Sequence, residues 1–331
     1  MESAMVGLVM PEATSRVVRY GFYLPEGFSL IALGASVDPL RIANMVVGEE
    51  LFRYSIIGES LEIVRSSDGI GVAPDGKRGE QSDLDALFIV GPNPLPKALP
   101  LGVSDWLRDL ARQGIALGGI DTGSYYLAKA GLLNGYRCTI HWEDQDILRE
   151  TFPALVVSDR IYEVDRDRYT CSGGVSPLDM MAYLIKLVGG VGGLGTRVLE
   201  MLIADVRSKD HRQPRALQHY LGPRDERLGE ALKVMLSNVE EKIGLKEVAG
   251  LAGLSQRQME RIFQARMGKA PSQVYTEVRL QRGRQLVCRT GIEIEEIARR
   301  VGFLSASHFT SRYRELFGCT PSADRLSYNQ R

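Results

Sequence analysis

The sequence predicts two domains of different fold class, an α/β domain with a mostly parallel sheet and then a smaller all-α domain. Strand-like and helix-like segments alternate up to about residue 206, whereas the chain beyond residue 226 has helical periodicity with almost no strand signal. Charge divides at nearly the same place: residues 1–210 contain 20 Lys and Arg against 28 Asp and Glu, and residues 211–331 contain 21 against 13. A length of 331 residues also exceeds one average domain.

Strand signals in the first domain are β-branched and aromatic runs of strand length at 17–24 and 51–58. The unbroken apolar run 84–90 ends at a Gly-Pro pair, as expected for a buried parallel strand. The remaining predicted strands are 115–120, 137–142, 161–165 and 168–172, and the predicted helices are 36–47, 104–114, 124–133, 176–189 and 193–206. Alternation of this kind favours right-handed βαβ crossovers, so we expect a flavodoxin-like sandwich with helices on both faces of the sheet.

Domain bounds are predicted from changes in composition. Residues 1–16 form a polar leader, and the α/β domain spans 17–207. Residues 208–226 are polar, lack periodicity and contain a Gly-Pro pair, so they are predicted to be a linker. The all-α domain then spans 227–331. Its positive charge favours a polyanionic partner.

One local pattern occurs twice in the all-α domain, at 245–268 and at 294–318. In each copy a short helix with a small residue precedes a turn glycine, and a serine then begins a second helix. The small residues are Ala249 and Ala298, the turn glycines are Gly253 and Gly302, and Ser255 with Gln258 forms a capping-box pattern. These features predict two helix-turn-helix units.

The segment between the copies predicts a connecting helix over 272–288. At 1.5 Å per residue it is about 25 Å long. A connector of that size can hold two DNA-reading helices about 34 Å apart, which is one turn of B-DNA.

Residues 227–331 resemble the AraC/XylS family of transcription regulators, chiefly through GFLSASHFTSRYRELFGCTPSADR at 302–325. Three residues depart from the family pattern. Ser311 stands where the family often has arginine, Tyr313 replaces a phenylalanine, and Asp324 stands where an aromatic residue is common. The resemblance implies promoter double-stranded DNA and RNA polymerase as partners.

The resemblance also implies which side chains face bases or phosphates. These are Gln256, Arg257, Glu260 and Arg261 in the first copy, and Ser307, His308, Ser311 and Arg312 in the second. An arginine can read guanine with two hydrogen bonds. The alternative for each residue is a merely solvated side chain. The apolar positions of the same helices are predicted to be core: Met259, Ile262, Phe263, Phe309 and Phe317.

The stretch GGIDTGS at 118–124 predicts a strand that turns sharply into a helix, a geometry that often presents a nucleophile. Residues 17–206 resemble the class I amidotransferase-like superfamily, through segments 21–44, 84–92, 118–135 and 139–144. Catalytic members have a cysteine at this elbow and a histidine about twenty residues later. Here Asp121 and His141 stand at those positions, and apolar Ala32 stands where some members have a supporting glutamate. The resemblance therefore implies that the thiolate chemistry is absent and that no residue is catalytic.

A cleft at the carboxyl ends of parallel strands is a common ligand site, so we predict an effector site at the elbow. The predicted lining residues are Asp121, Thr122, His141, Trp142, Glu26 and Asn93. A carboxylate beside an aromatic face suits a cation, so the predicted effector is a small cationic metabolite such as arginine, carnitine or betaine. The alternative is that Asp121 only caps the following helix and that Trp142 is core.

The two domains together resemble the GlxA group of the AraC family, whose members commonly regulate, and frequently activate, catabolism of amino acids and quaternary amines. We therefore expect an effector-responsive, sequence-specific transcription regulator that is not an enzyme and that forms a homodimer through helices at 176–206. Two alternatives remain open. One is a hydrolase or glyoxalase of amidotransferase fold fused to a DNA-binding domain; the other is a constitutive DNA-binding protein with a structural first domain.

No cofactor or metal site is predicted, because the four cysteines are scattered without CxxC spacing or spaced histidines. Buried free thiols in a reducing cytoplasm are expected at Cys138, Cys171, Cys288 and Cys319. No unbroken apolar run approaches the roughly 18 residues needed to span a bilayer, and the N-terminus lacks a secretory signal pattern. We therefore expect a cytoplasmic protein without a membrane partner.

Overall fold

The computed structural model describes residues 16–80, 83–188, 193–205, 207–208, 210–213 and 226–329. The chain divides into two compact units, Met1–Gln213 and Pro214–Arg331, called unit 1 and unit 2 below. The predicted leader lies almost wholly outside the described residues, and so does most of the predicted linker. The domain bounds drawn from composition therefore stay predictions.

Unit 1 alternates strands with helices. Its strands are β1 (Val18–Tyr23), β2 (Phe52–Gly58), β3 (Val64–Arg65), β4 (Gly71–Val72), β5 (Gly76–Lys77), β6 (Ala86–Val90), β7 (Ala116–Ile120), β8 (Arg137–Cys138), β9 (Val156–Val157), β10 (Tyr162–Asp165) and β11 (Arg168–Cys171). Its helices are α1 (Leu30–Val47), α2 (Val103–Arg112), α3 (Gly123–Lys129), α4 (Gln145–Thr151), α5 (Ser176–Val188) and α6 (Leu194–Met201), with a 3₁₀ helix at Trp142–Asp144.

The main sheet has seven strands in the order β10-β11-β7-β6-β1-β2-β5. Each neighbouring pair is parallel except β10 with β11, which is antiparallel. Side chains of the central strand β6 alternate between two hydrophobic clusters: Phe88 packs in the cluster that includes α1 and α5, and Leu87 packs in the cluster that includes α2 and α3. Burial of both faces explains the continuous apolar run in the sequence. The predicted α/β fold class is confirmed.

Several predicted element bounds are wrong in detail. The strand predicted over 137–142 ends at Cys138, because the chain turns at His141 into the 3₁₀ helix. The helix predicted over 193–206 ends at Met201, and Ile203 beyond it has a positive φ of 54° that cannot continue a helix. Helix α1 begins at Leu30 rather than at residue 36.

Helix α1 has the length and the mean hydropathy, 1.4, of a membrane span, and 44% of that window is buried inside the protein. It packs against α5 and α6 within unit 1. Its apolar residues therefore have a place in the core, and a helix of this kind is weak evidence for a membrane.

Unit 2 is helical throughout its described residues. Its helices are α7 (Glu226–Ser237), α8 (Leu245–Leu251), α9 (Gln256–Met267), α10 (Pro271–Arg289), α11 (Ile294–Arg300), α12 (Ala306–Phe317) and α13 (Pro321–Asn329). They share one hydrophobic core, in which Phe263, Tyr275 and Phe309 are fully buried. The predicted connecting helix is α10, which has 19 residues and begins with proline at its first turn.

Candidate nucleic-acid interface and candidate effector site

The two helix-turn-helix units are α8 with α9 and α11 with α12, and both turns have the local geometry that the sequence predicts. Gly253 and Gly302 have positive φ angles of 68° and 71°, which favour glycine. Ser255 accepts a hydrogen bond from the Gln258 backbone N–H at 3.2 Å, and Gln258 Oε1 accepts one from the Ser255 N–H at 2.8 Å. The predicted capping box is confirmed.

Helix α9 buries one face and exposes the other. Met259, Ile262 and Phe263 are buried in the core of unit 2, as predicted. The predicted contact residues of the first copy are all exposed: Gln256, Arg257, Glu260 and Arg261. Gln256 Nε2 donates to Glu260 Oε1 at 3.1 Å, so these two side chains form one polar surface along the helix.

Helix α12 has the same division. Phe309 is buried, as predicted, whereas Phe317 is only partly buried. The predicted contact residues of the second copy are again exposed: Ser307, His308, Ser311 and Arg312. The His308 ring lies edge-on to Phe303 with centroids 5.4 Å apart, and Arg312 Nη1 donates to Glu315 Oε2 at 2.6 Å. Exposure agrees with a role in DNA contact but does not test it, so these roles stay predictions.

Two departures from the family pattern contact each other. The Tyr313 hydroxyl on α12 donates to Asp324 Oδ2 on α13 at 2.7 Å, and Arg284 Nε on α10 donates to the same oxygen at 2.8 Å. Asp324 is 9% exposed and Tyr313 is fully buried. Burial and the hydrogen bond to Asp324 raise the pKa of Tyr313, so its hydroxyl remains a donor. The second DNA-reading helix is thus tied to two neighbouring helices.

A buried arginine that the sequence reasoning missed holds the second turn. Arg279 on α10 is 4% exposed, its Nε donates to the Val301 carbonyl at 2.7 Å, and its guanidinium lies 4.3 Å from the centre of the Phe303 ring. Burial lowers the pKa of Arg279. A polar residue at a helix position that otherwise reads as core was the signal available in the sequence.

The elbow of unit 1 has the predicted strand-to-helix turn between β7 and α3. Asp121 has a φ of 60°, in the left-handed region that aspartate tolerates better than most residues. A Cβ added at Gly123 would lie 2.1 Å from the Ile89 carbonyl oxygen, so glycine is required where α3 begins. The turn itself therefore accounts for the spacing of the motif.

Asp121 lies at the base of this turn and is 6% exposed. Its backbone N–H donates to the Cys171 carbonyl at 3.0 Å. A Cβ at Gly173 would lie 2.3 Å from Asp121 Oδ2, so the carboxylate rests directly against the backbone of residue 173. Because the backbone at Gly173 covers the carboxylate, a ligand that reaches Asp121 must contact or displace the loop that follows β11.

Three of the predicted lining residues lie along one rim of the elbow. Thr122 is buried, and its hydroxyl donates to the Pro92 carbonyl at 2.5 Å. Exposed Asn93 follows, and its backbone N–H donates to the Gly27 carbonyl at 3.3 Å beside exposed Glu26. Thr122 thus has a structural role and Asn93 is exposed, whereas the exposed Glu26 accepts a hydrogen bond at Oε2 from the Arg65 backbone N–H at 3.3 Å.

His141 and Trp142 begin the 3₁₀ helix and are joined to the elbow through the backbone before them. Ser124 Oγ on α3 donates to the Thr139 carbonyl at 2.7 Å, two residues before His141. His141 Nδ1 lies 3.7 Å from Glu143 Oε2, and the His141 and Trp142 rings are 5.6 Å apart. This hydrogen bond ties the chain just before the pair to α3, and the role of His141 and Trp142 in an effector site stays a prediction.

None of the four cysteines, all within the described ranges, forms a disulfide bond. Cys138 and Cys171 are buried, but Cys288 and Cys319 are only partly buried, so the expected burial is wrong for those two. Burial raises the pKa of the Cys171 thiol to about 12, and the Asp121 carboxylate adds to the rise. Burial likewise raises the pKa of Cys138 to about 12, with Glu163 adding to it. Both thiols are protonated near neutral pH and are poor nucleophiles.

Among the residues that the structure describes, no group of three or more His, Cys, Asp or Glu side chains could hold a metal ion. Ala32, at the position of the supporting glutamate, is fully buried. The elbow thus retains the backbone of a nucleophile turn, with a carboxylate at its tip and two protonated thiols nearby.

The chain has an α/β domain whose elbow lacks a thiolate, followed in the sequence by two helix-turn-helix units with exposed polar faces. This combination defines a DNA-binding transcription regulator. Comparisons with known proteins agree. A helix-turn-helix domain family matches residues 248–327, and the DJ-1/PfpI family matches residues 22–187. The chain belongs to the family of helix-turn-helix transcriptional regulators of AraC, GlxA-like type that carry a DJ-1/PfpI domain, and it is not an enzyme.

Relatives match over most of the chain. The HTH-type transcriptional regulator GbdR of Pseudomonas aeruginosa is 39% identical over 306 residues, covering 92% of this chain and 83% of GbdR. The HTH-type transcriptional regulator GlxA of Rhizobium meliloti is 33% identical over 311 residues, covering 93% of this chain and 96% of GlxA. A crystal structure of an AraC family transcriptional regulator from Pseudomonas putida superposes with a TM-score of 0.51 at 28% identity, covering 56% of this chain and 99% of that one.

Proposed function

We propose that this regulator responds to a small cationic metabolite, an amino acid or a quaternary amine such as arginine, carnitine or betaine, and activates genes for its breakdown. The observation that carries the proposal is the buried Asp121 carboxylate at the tip of the elbow, where a catalytic relative would have a thiolate. A carboxylate in a poorly solvated site attracts a cation strongly, and we propose that the Trp142 ring adds cation–π attraction.

The DNA contacts belong to the same proposal. The exposed faces of α9 and α12 carry the predicted contact residues, and residues 211–331 contain 21 Lys and Arg against 13 Asp and Glu. We propose that Arg257 and Arg261 read bases in one major groove and that His308 and Arg312 act in the next. The proposal also includes the predicted domain bounds, 17–207 and 227–331. It further includes a homodimer, contact with RNA polymerase and a cytoplasmic location.

Replacing the proposed base-reading arginines tests the DNA half of the proposal. Arg261→Ala in the full chain should weaken binding to a duplex selected from a random library by about 1–3 kcal/mol, and it should weaken binding to random duplex much less. Arg112→Ala, an exposed arginine in unit 1, is the matched control. Equal losses on both duplexes would mean that Arg261 touches only phosphate.

Thermal unfolding with a panel of amines tests the effector half. A ligand present at about 100 times its Kd adds about 2.7 kcal/mol of stability, which raises the melting temperature. L-Arginine, L-carnitine and glycine betaine should include at least one such ligand for the native chain and none for Asp121→Ala. Silence across a broad amine panel would favour a constitutive DNA-binding protein.

A further inference from the structure

Residues 210–213, which composition assigned to a free linker, are fastened to unit 1. The Ile161 N–H donates to the His211 carbonyl at 3.0 Å, and the Gln213 N–H donates to the Asp159 carbonyl at 2.8 Å. Arg212 and Arg160 pair between these bonds as an antiparallel bridge. The segment thus lies alongside the residues that begin β10, at the end of unit 1 in the chain.

The Gln213 side chain is inserted into the interior of unit 1, where the residue is 4% exposed. Its Nε2 lies 2.8 Å from Thr139 Oγ1 and 2.9 Å from each of the carbonyls of Ile140 and Arg160, so its two N–H groups are shared among three acceptors. Because all of these partners are acceptors, the amide group must present its NH₂ side to them. A buried glutamine in a connecting segment is unusual, since exposed loops place such side chains in water.

Thr139 joins this glutamine to the elbow. It is fully buried, and its carbonyl accepts from Ser124 Oγ on the elbow helix at 2.7 Å. Its hydroxyl lies 3.0 Å from the Ser158 carbonyl and 2.9 Å from the Arg160 carbonyl. The residue two positions on is His141, part of the proposed effector site. A shift of the backbone at Thr139 would therefore move both His141 and the atoms that bind the Gln213 side chain.

We propose that Gln213 is a positioning residue that fastens the start of the interdomain segment to the wall of the elbow site through Thr139, so that occupancy of the elbow is conveyed to the segment that leads to the DNA-binding unit. The inference rests on the proposed function for its ligand, but the Gln213 seat itself does not depend on which ligand binds. Coupling of this kind requires two arrangements of one element that a ligand favours unequally. In this proposal, one arrangement has residues 210–213 hydrogen-bonded to unit 1, as in the structure, and the other has them released from unit 1.

Amide hydrogen exchange of the full-length protein tests the seat without any ligand. Gln213→Glu keeps the shape of the side chain but replaces the donating NH₂ group by a carboxylate oxygen. This oxygen would face the Thr139 hydroxyl and the carbonyls of Ile140 and Arg160. The amides of Ile161 and residue 213 should then exchange about tenfold faster or more, which corresponds to a loss of about 1.4 kcal/mol or more. Gln113→Glu, an exposed glutamine at the end of α2, should leave both amides unchanged.

The link to the elbow is tested in the same way. Ser124→Ala and Thr139→Val should each accelerate exchange at Ile161 and Gln213, whereas Thr139→Ser, which retains the hydroxyl, should not. Unchanged exchange in Gln213→Glu, or in both Ser124→Ala and Thr139→Val, would overturn the proposal.

A functional measurement separates positioning from simple stabilisation. Full-length protein is titrated with a duplex selected from a random library, with and without glycine betaine, L-carnitine or L-arginine. Gln213→Glu should retain wild-type DNA affinity without amine and the wild-type melting shift with it, yet lose most of the amine-dependent change in DNA affinity. A variant that keeps the full amine-dependent change would contradict the proposal. If no amine shifts the melting temperature of the wild type, the proposed effector class fails, and the exchange results alone decide on Gln213.

Discussion

Single residues form polar contacts at two positions that depart from the family pattern. Tyr313 donates to Asp324 Oδ2, and Arg284 donates to the same carboxylate oxygen. A buried carboxylate is tolerated only when it is paired and hydrogen-bonded. The two departures are therefore one compensated change, which the separate positions in the sequence do not indicate.

Tyr313→Phe should destabilise unit 2 by about 1–3 kcal/mol, because it leaves a buried carboxylate with one donor fewer. The measurement is urea-induced unfolding of the full chain followed by circular dichroism. The double variant Tyr313→Phe with Asp324→Leu should lose less than the sum of the single losses, since both members of one network are removed together. Strict additivity would contradict the network.

Because the buried thiols must stay protonated in the folded state, the stability of unit 1 should fall as the pH becomes alkaline. The pKa of Cys171 rises from 9.0 to about 12 on folding, so the native state holds its proton more tightly than the unfolded chain. The resulting stability is complete below pH 9 and is lost as pH rises from 9 through 12, at up to about 1.4 kcal/mol per pH unit for one thiol.

Cys171→Ala should therefore flatten the fall in unfolding free energy above pH 9, whatever its effect at neutral pH. Cys319→Ala, at a partly buried position, serves as the control and should leave that slope unchanged. Native-state alkylation near pH 8 gives a second check: rapid labelling of Cys171 would show that the thiol is not buried and protonated.

At the scale of elements, the two helix-turn-helix units share the same local devices. Ser255 and Ser305 each accept from the backbone N–H three residues later, and Gly268 and Gly318 end the DNA-reading helices with positive φ angles. The second unit has an additional clamp, since Arg279 holds the Val301 carbonyl and stacks on Phe303. The first DNA-reading helix depends more on its cap.

Ser255→Ala should destabilise unit 2 by about 1 kcal/mol, because it leaves the Gln258 backbone N–H at the start of α9 without its acceptor. Ser272→Ala, in the first turn of α10 without a side-chain cap, is the matched control and should cost a few tenths. Chemical denaturation of both variants measures the two losses in unfolding free energy, which are then compared. Similar losses for the two would show that the capping box contributes little.

The whole molecule combines two compact units of opposite charge balance. Each unit has its own hydrophobic core, formed by Phe22 and Phe88 among others in unit 1 and by Phe263 and Phe309 in unit 2. The positive balance lies in residues 211–331, which contain both helix-turn-helix units, whereas the acidic balance is spread over residues 1–210. Charge thus favours DNA binding by unit 2.

DNA affinity of the full chain should fall steeply with salt, because each phosphate contact by Lys or Arg contributes about 0.9 to the slope of log K against log salt. Fluorescence anisotropy with a selected duplex across a salt series measures it. The same series with random duplex should give a comparable slope at lower affinity. A slope near zero would mean that phosphate contacts do not drive binding.

Local patterns predicted most of the fold. Apolar and β-branched runs of strand length located the central strands, and helical apolar spacing with turn and cap residues located both helix-turn-helix units. The structure confirms the Ser255 capping box. Errors occurred where long-range contacts override local preference. Thr139 and Ile140 read as strand, yet the chain leaves the extended conformation at His141, and composition placed Gln213 in a linker.

The sequence alone determined the two fold classes, the repeated DNA-reading units and the loss of the thiolate at the elbow, since each depends on periodicity, capping or residue identity within a short window. Tertiary structure alone decided which polar groups meet. Gln213 reaches Thr139 across 74 positions, and Arg284 reaches Asp324 across 40. Such pairs form because folding removes at least one of the two groups from water, and the buried group is then stabilised by a partner that the packed chain brings to it.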